Sequence, residues 1–510
     1  MADKLTQAQI NNILWQACDT FRGKIDSSIY KDYILVMLFV KYLSDTYKEH
    51  YDEFHVKYKG DEGRIKRALS RDRFVLDKKS SFDYLYGKRN ASDVGEIINK
   101  ALENIEEDNK GKLRGVFRNI DFNSEVNLGA TKERNAMLRT LLEDFCKVDL
   151  RPSNIPEEDV IGNSYEYLIS RFASDAGKKG GEFFTPSEVS ELLSRLVKPE
   201  QNDRIYDPTC GSGSLLIRAF NKIAGKKAQI YGQERNGQTH SLCRMNMFLH
   251  GIDDAKIEWG DTLANPKHLE NDKLMKFQVV VANPPFSLDK WAMGFAGDSN
   301  TDTKFKLEPG MDPYRRFEWG VPPTSKGDFA FVQHMLYSLS EDGRMGIVLP
   351  HGVLFRGSSE GKIRKQIIEM NLLDAVIGLP EKLFFGTGIP ATVLVFKKNR
   401  KHKDILFIDA SAEGFYEKGK NQNKMREEDL QRIVDAYNAY ETKEKFSYVA
   451  KFEEIEENDF NLNIPRYVDT FEEEEPVDME TVAEKIINIK SELSEVEKQM
   501  ANYLTELGLS

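Results

Sequence analysis

The sequence predicts an α/β protein. A largely parallel sheet with helices on both faces follows an all-helical segment and precedes one long terminal helix. Three observations predict it. Beyond residue 180, short β-rich apolar runs alternate with helix-like stretches, the pattern of strand–helix–strand units. Before residue 165, apolar residues recur at three- and four-residue spacing over lengths too great for strands. After residue 471, an acidic run gives way to a heptad pattern. The expected division is 1–165, 166–470 and 471–510.

In the first segment, "IYKDYILVMLFVKYLSDTYKEHY", "DVGEIINKALENIEE" and "RNAMLRTLLEDF" each read as a helix, and no proline occurs before Pro152. No catalytic constellation stands out there, and its many aromatic residues suit packing. The expected strands of the middle segment lie at 204–208, 229–234, 256–261, 277–285, 344–350, 372–380 and 391–398. "SLLIRAFNKIAG", "GQTHSLCRMNMFLHG", "DFAFVQHMLYSLSED" and "GKIRKQIIEMN" supply helices between them. The link 381–390, "EKLFFGTGIP", reads as a loop, so the last strand is expected to enter antiparallel. Residues 290–327 carry two Trp with Gly and Pro and no periodicity, a long loop of the kind that is functional or mobile.

In the terminal segment Val482, Ile486, Ile489, Leu493, Val496, Met500, Tyr503 and Leu507 form a heptad seam. Such a seam calls for a partner helix, and its terminal position after a charged linker points to another chain.

Composition bounds the function. The 510 residues are 40% hydrophobic and 30% charged, with a formal net charge of −11. That acidity argues against gripping nucleic acid by bulk attraction, and leaves the task to a local basic groove or a partner. The longest apolar run, "YILVMLFVKYL", is too short to cross a bilayer, and "MADKLTQAQI" lacks the features of a secretion signal. Cys18, Cys146, Cys210 and Cys243 lie far apart, which argues against a zinc site or disulfide framework and suits the cytoplasm. The histidines show no metal-ligand spacing.

The chemistry concentrates at strand ends. "YDPTCGSGSLL" (206–216) ends a strand on Asp207, turns through Gly211 and Gly213, and opens a helix. Glycines there let a ligand approach the backbone, and the new helix aims N–H groups at it. The next two strands end on Glu234 and Asp261, again at the carboxyl edge where open α/β sheets bind ligands. An acid ending the second strand suits ribose hydroxyls. Three carboxylates and no G-x-x-x-x-G-K-[ST] loop disfavour a phosphate ligand. A neutral or cationic adenosine derivative fits better, and S-adenosylmethionine is one.

The fourth strand ends in "VVVANPPFSL" (279–288). Asn283 offers a side-chain oxygen, and Pro284, having no N–H, offers only its carbonyl. Two adjacent acceptors suit a planar NH2 group. They favour a pyramidal nitrogen whose lone pair can attack a methyl group. Pro285 stiffens the turn, and Phe286 supplies a ring on which an extruded base can stack.

Taken in order, "GEFFTP" (181–186), "DPTCGSGSLL" and "NPPF" resemble the amino-group DNA methyltransferases, and their order matches the adenine-N6 group. Further stretches, "GDFAFVQHML", "GRMGIVLPHGVLF", "FFGTGIPATVLVF" and "FNLNIPRYVD", resemble the modification subunit of type I restriction-modification systems over nearly the whole chain. Many members carry "DPACGSGGFL" where this chain has Thr209, Ser214 and Leu215. The resemblance implies a Rossmann-like S-adenosylmethionine-dependent methyltransferase sheet. It assigns Glu182, Phe183, Phe184, Thr185, Pro186, Ser187, Asp207, Gly211, Ser212, Gly213, Ser214, Glu234 and Asp261 to the cofactor. Asn283, Pro284, Pro285 and Phe286 fall to catalysis on a flipped adenine of double-stranded DNA. It further implies a separate specificity subunit clamped by two modification subunits, and a restriction subunit that cleaves. After the seventh strand only about a hundred residues remain, acidic in part and ending in a helix, which is small for a two-part DNA-reading domain and agrees with sequence reading being done elsewhere. The alternatives are a protein glutamine-N5 methyltransferase, a cofactor-binding scaffold without chemistry and, more weakly, cytosine-N4 transfer.

Overall fold

The computed structural model describes residues 4–23, 25–155, 159–176, 184–296, 305–384, 388–412, 414–420, 422–469 and 479–507. Two compact units result, Met1–Val468 and Asp469–Ser510.

Val279 and Val281 point to one face of the sheet, Val280 and Ala282 to the other, as the two-residue period of a strand requires. All four are buried because helices cover both faces. Eleven strands are described: β1 Arg204–Asp207, β2 Gln229–Glu234, β3 Lys256–Trp259, β4 Leu269–Glu270, β5 Lys273–Leu274 and β6 Phe277–Ala282. They continue with β7 Leu339–Pro350, β8 Leu373–Gly378, β9 Ala391–Lys397, β10 Ile405–Asp409 and β11 Ser447–Ala450. Nine form one sheet in the order β11-β10-β8-β9-β7-β6-β1-β2-β3, and β4-β5 make a separate hairpin. β9 runs antiparallel to β7 and β8, as the loop-like 381–390 link predicts, and β11 antiparallel to β10. β10 and β11 extend the sheet beyond the seven expected strands.

One boundary moves. The sequence reads as helix to residue 342, but the helix ends at Ser338 and β7 begins at Leu339, which pairs with Phe277. Sheet pairing overrides local helix propensity there. Helices Asp328–Ser338 and Ser358–Glu369 pack on one face with Met345, Ile347 and Leu394. On the other face Ser187–Val197, Ser214–Asn221 and Glu427–Ala439 pack with Val348, Ile377 and Val393.

The N-terminal segment is helical, its longest helix spanning Ser27–Lys57. Its core does not stop at residue 165. Tyr165, Leu168, Ile169 and Phe172 of helix Val160–Ala176 belong to it, as do Leu242, Met245, Phe248 and Leu249 of helix Gly237–Leu249. One helix thus turns an apolar face to each part: Cys243 and Met247 pack with the sheet-side core. A polar clasp reinforces the joint, with Arg73 donating to Asp253 (2.6–3.1 Å) and Lys112 reaching the same carboxylate at 3.1 Å. The second unit contains helix Met479–Glu506, about 42 Å long at the usual rise. From Ile486 to Leu507 its seam residues are exposed. The side chain of Val482 lies outside the described residues.

Candidate functional site

β1, β2 and β3 are parallel, so Asp207, Glu234 and Asp261 gather at one edge. Gly211 and Gly213 take positive φ (54° and 87°), a conformation open to glycine at little strain. Gly213 also needs its missing side chain, since a Cβ there would meet Met247 Cε at 2.5 Å and Cys243 Sγ at 2.9 Å. Cys210 lies buried against Cys243, with 3.8 Å between their Sγ atoms. The Asn246 amide donates to Ser212 O (2.9 Å), holding the turn from below.

The acids are not equivalent. Glu234 accepts from Gly211 N (3.0 Å) and Asn236 N (2.7 Å), while burial pushes its carboxyl up. Asp261 accepts from Leu263 N (2.9 Å) and Ala264 N (3.2 Å). Asp207 is 1% exposed; one oxygen accepts from Thr209 N (2.9 Å), and Oδ2 has no partner among the described residues. Burial first, with the nearby Glu234 charge adding to it, pushes its carboxyl up to about 8. A buried carboxyl oxygen left open at this edge fits a polar group of an adenosine-bearing amino acid: a hydroxyl can accept from it when it is protonated, and a hydroxyl or ammonium can donate to it when it is ionised.

Asn283 follows β6 directly. Its amide donates to Thr185 Oγ1 at 3.1 Å, which fixes the rotamer and turns Oδ1 the other way. That oxygen is buried and unpartnered among the described residues. Pro284 is buried, Pro285 exposed, and Phe286 half-buried. The Phe286 ring meets Phe384 edge-on, 5.5 Å between centroids at 65°. The chain then passes through Ser287 at φ 51°. Asp328 secures it, accepting from Ser287 N (2.8 Å), and Arg356 donates to Asp328 (2.9 Å) and Ser287 Oγ (3.4 Å).

Thr185 thus contacts Asn283, although its motif assigns it to the cofactor. The same short stretch reaches the glycine turn as well. Ser190 Oγ donates to Pro186 O (3.4 Å) and lies 3.2 Å from Ser214 Oγ. Phe184 is buried in the N-terminal core, and Ser187 is exposed with its hydroxyl on Glu188. Glu182 and Phe183 lie outside the described residues.

Four supporting residues escape a reading of local pattern: Asp328, Arg356, Arg316 and Asp312. The described part of segment 290–327 is anchored by a few buried side chains. Trp291 is 1% exposed, and its indole donates to Pro323 O (2.9 Å). Arg316, fully buried, pairs with Asp312 (2.8 Å) and donates to Thr262 O (3.3 Å) and Leu263 O (2.5 Å), clamping the loop after Asp261. Arg316 also donates to His334 Nδ1 (3.0 Å), so His334 Nε2 carries the hydrogen toward Tyr206 Oη (3.1 Å). Burial, helped by the Arg316 charge, keeps that imidazole neutral.

The comparisons agree with this architecture. Residues 156–476 match the N-6 DNA Methylase family, and residues 10–145 match the HsdM N-terminal domain. The chain is 33% identical over 532 aligned residues to the type I restriction enzyme MpnII methylase subunit of Mycoplasma pneumoniae, covering 97% of this chain and 95% of that one. It is also 33% identical to the MjaVIII methylase subunit of Methanocaldococcus jannaschii, with 99% and 86% covered. Among solved structures, the methyltransferase subunit of a type I restriction-modification system from Streptococcus thermophilus superposes with a TM-score of 0.77 at 36% identity, covering 91% of this chain and 100% of that one.

Proposed function

The chain belongs to the N-6 DNA methylase family, and from that premise we propose how its residues serve as the modification subunit of a type I restriction-modification system. The reaction is methyl transfer from S-adenosylmethionine to the N6 amino group of an adenine flipped out of double-stranded DNA. The observation that carries this reading is the buried Asn283 Oδ1, unpartnered among the described residues, oriented by Thr185 and seated beside a carbonyl of a residue without an N–H.

The Asn283 Oδ1 and the Pro284 carbonyl accept the two amino hydrogens. This draws the nitrogen lone pair out of the purine ring. Phe286, with Phe384 beside it, supplies an aromatic wall for the base. Pro285 limits the turn to one conformation. Asp207, the turn Gly211–Ser214, Glu234 and Asp261 hold the methyl donor, whose sulfonium supplies the reactive methyl group. Thr185 couples the two halves, because it fixes Asn283 while its neighbours touch the turn. No strong general base is needed: once alkylated, the nitrogen becomes acidic and loses a proton to water. Rate enhancement then rests on positioning and on acceptors already in place.

We assign 1–165 to a helical domain, 166–470 to the methyltransferase domain and 471–510 to partner docking. The exposed seam of helix Met479–Glu506 supports docking on helices of a specificity subunit, with two copies of this chain to one specificity subunit and a restriction subunit completing the complex. Among the described residues no helix is long and apolar enough to cross a membrane.

The test is methyl transfer from labelled S-adenosylmethionine by the assembled complex, followed by nucleoside analysis. Label in N6-methyladenine is expected. Label on protein glutamine would favour the protein-methylating alternative, and cofactor binding without transfer to any DNA would favour a scaffold.

A further inference from the structure

The reaction just described leaves unused a groove along β3, the last strand of the sheet. Its cavity is about 590 Å³. Cations reach it from separate parts of the chain: Arg114 and Arg118 from the N-terminal segment, Arg244 from helix Gly237–Leu249, Lys256 from β3, and Lys267 from the loop after Asp261. Glu258 is the acid among its lining residues. This is a strong local reversal in a chain of net charge −11.

The groove is built, not incidental. Arg244 directs its guanidinium at the carbonyls of Arg114 and Lys112 (2.7 Å to the latter), and so pins the loop that carries Arg114 and Arg118. Glu106, on the flank, spends its carboxylate on Gly115 N (2.8 Å) and Phe117 N (2.6 Å), shaping the same loop. Its neighbour Glu107 pairs with Lys110. Among the described residues no carboxylate lies within ion-pair distance of Arg114, Arg118, Lys256 or Lys267. Trp259, 49% exposed, is fixed by its indole N–H on Arg235 O (3.0 Å).

We propose that this groove is a second DNA contact, taking backbone phosphodiesters outside the catalytic corner. It lies three strands from β6, on the order of 14 Å at the usual spacing, a distance that duplex DNA engaged at Asn283 can span. The chemistry is that of a phosphate anion. An extended backbone fits better than a free nucleotide: the cations are spread along an open groove, with no glycine-rich phosphate loop to enclose a single phosphate chain. This inference rests on the chain acting on DNA, but not on the role of Asn283.

Charge reversal tests it. The assembled complex is titrated with a labelled duplex across a salt series, using Arg118→Glu, Lys267→Glu and the milder Lys267→Gln. Thermal melting checks each variant's fold. Each lost phosphate contact is expected to lower the slope of log K against log salt by about one, and to raise KM for DNA rather than lower kcat. Unchanged slopes and affinity in all three variants overturn the proposal while leaving the Asn283 assignment standing. A second arm adds a nucleoside triphosphate or inorganic phosphate and follows Trp259 emission against a W259F control. Quenching by either, with no competition against DNA, assigns the groove to free phosphates and overturns the DNA reading.

Discussion

The two halves of the carboxyl edge treat their acceptors in opposite ways. At the ends of β2 and β3, Glu234 and Asp261 each accept two backbone N–H groups of this chain, so they shape the loops before any ligand arrives. After β6, Asn283 donates to Thr185 while its oxygen has no partner among the described residues. Asp207 stands between these cases, with one oxygen spoken for and one open. The difference teaches how to tell two kinds of site residue apart. Glu234 and Asp261 act through the loops their bonded oxygens organise, whereas the open oxygens of Asn283 and Asp207 are available to a bound group.

Breaking the open side has the largest expected effect. Asn283→Ala should lower methyl transfer at least a hundredfold, on the scale of losing one preorganised polar group, while cofactor affinity from calorimetry stays within a few-fold. Near-normal turnover would remove Asn283 from the mechanism. Breaking the bonded side should do something different. Glu234→Ala orphans Gly211 N and Asn236 N, costing about 1–3 kcal/mol of stability and at least tenfold in cofactor affinity. Glu234→Gln keeps an acceptor and should recover most of the stability in a denaturant titration.

Asp207 sharpens the contrast through pH. Because its folded carboxyl titrates at about 8, far above an unfolded aspartate, the folded state holds a proton that the unfolded chain has lost. The stability it contributes is full below about pH 4 and drains away as pH rises toward 8, by a few kcal/mol in the ligand-free protein. Asp207→Asn should flatten that part of the denaturation profile; an unaltered profile would refute the burial argument. A smaller effect is expected at Arg356, which acts through Asp328 and Ser287. Arg356→Ala should lower kcat about tenfold with little change in cofactor affinity, and Arg356→Lys should restore part of it. Smallest on the chain itself is Leu493→Asp on the terminal helix. It should leave the melting transition within about 0.5 kcal/mol yet weaken assembly with partner subunits in analytical ultracentrifugation.

The pieces legible in the sequence were those with a local signature. Period-two valines mark β6, glycines mark the turn after β1, and the prolines of "NPPF" mark the strand's end. The three acids declared themselves by position at strand ends. What pattern could not supply was pairing across distance. Ser287 and Asp328 are 41 residues apart and Arg73 and Asp253 are 180 apart, so neither partner announces the other. The same holds for helix Gly237–Leu249, whose two apolar faces serve two cores and leave no clean amphipathic stripe. β10 and β11 escaped because their value lies in extending the sheet, a property of neighbours rather than of sequence.

Strand β9 carries a consequence of its own. Every parallel strand leaves the reactive rim through the segment that follows it, whereas β9 is approached there by the segment that precedes it. Phe384 and Pro390 belong to that incoming segment; the first touches Phe286 and the second accepts a hydrogen bond from His351 N (3.3 Å). Changes at Phe384 or at residues 388–390 would therefore re-aim the proposed nucleobase wall without touching the strand-to-helix turns proposed to hold the methyl donor. On the proposed assignment, one inverted strand separates the segment that meets the base from the turns that meet the methyl donor.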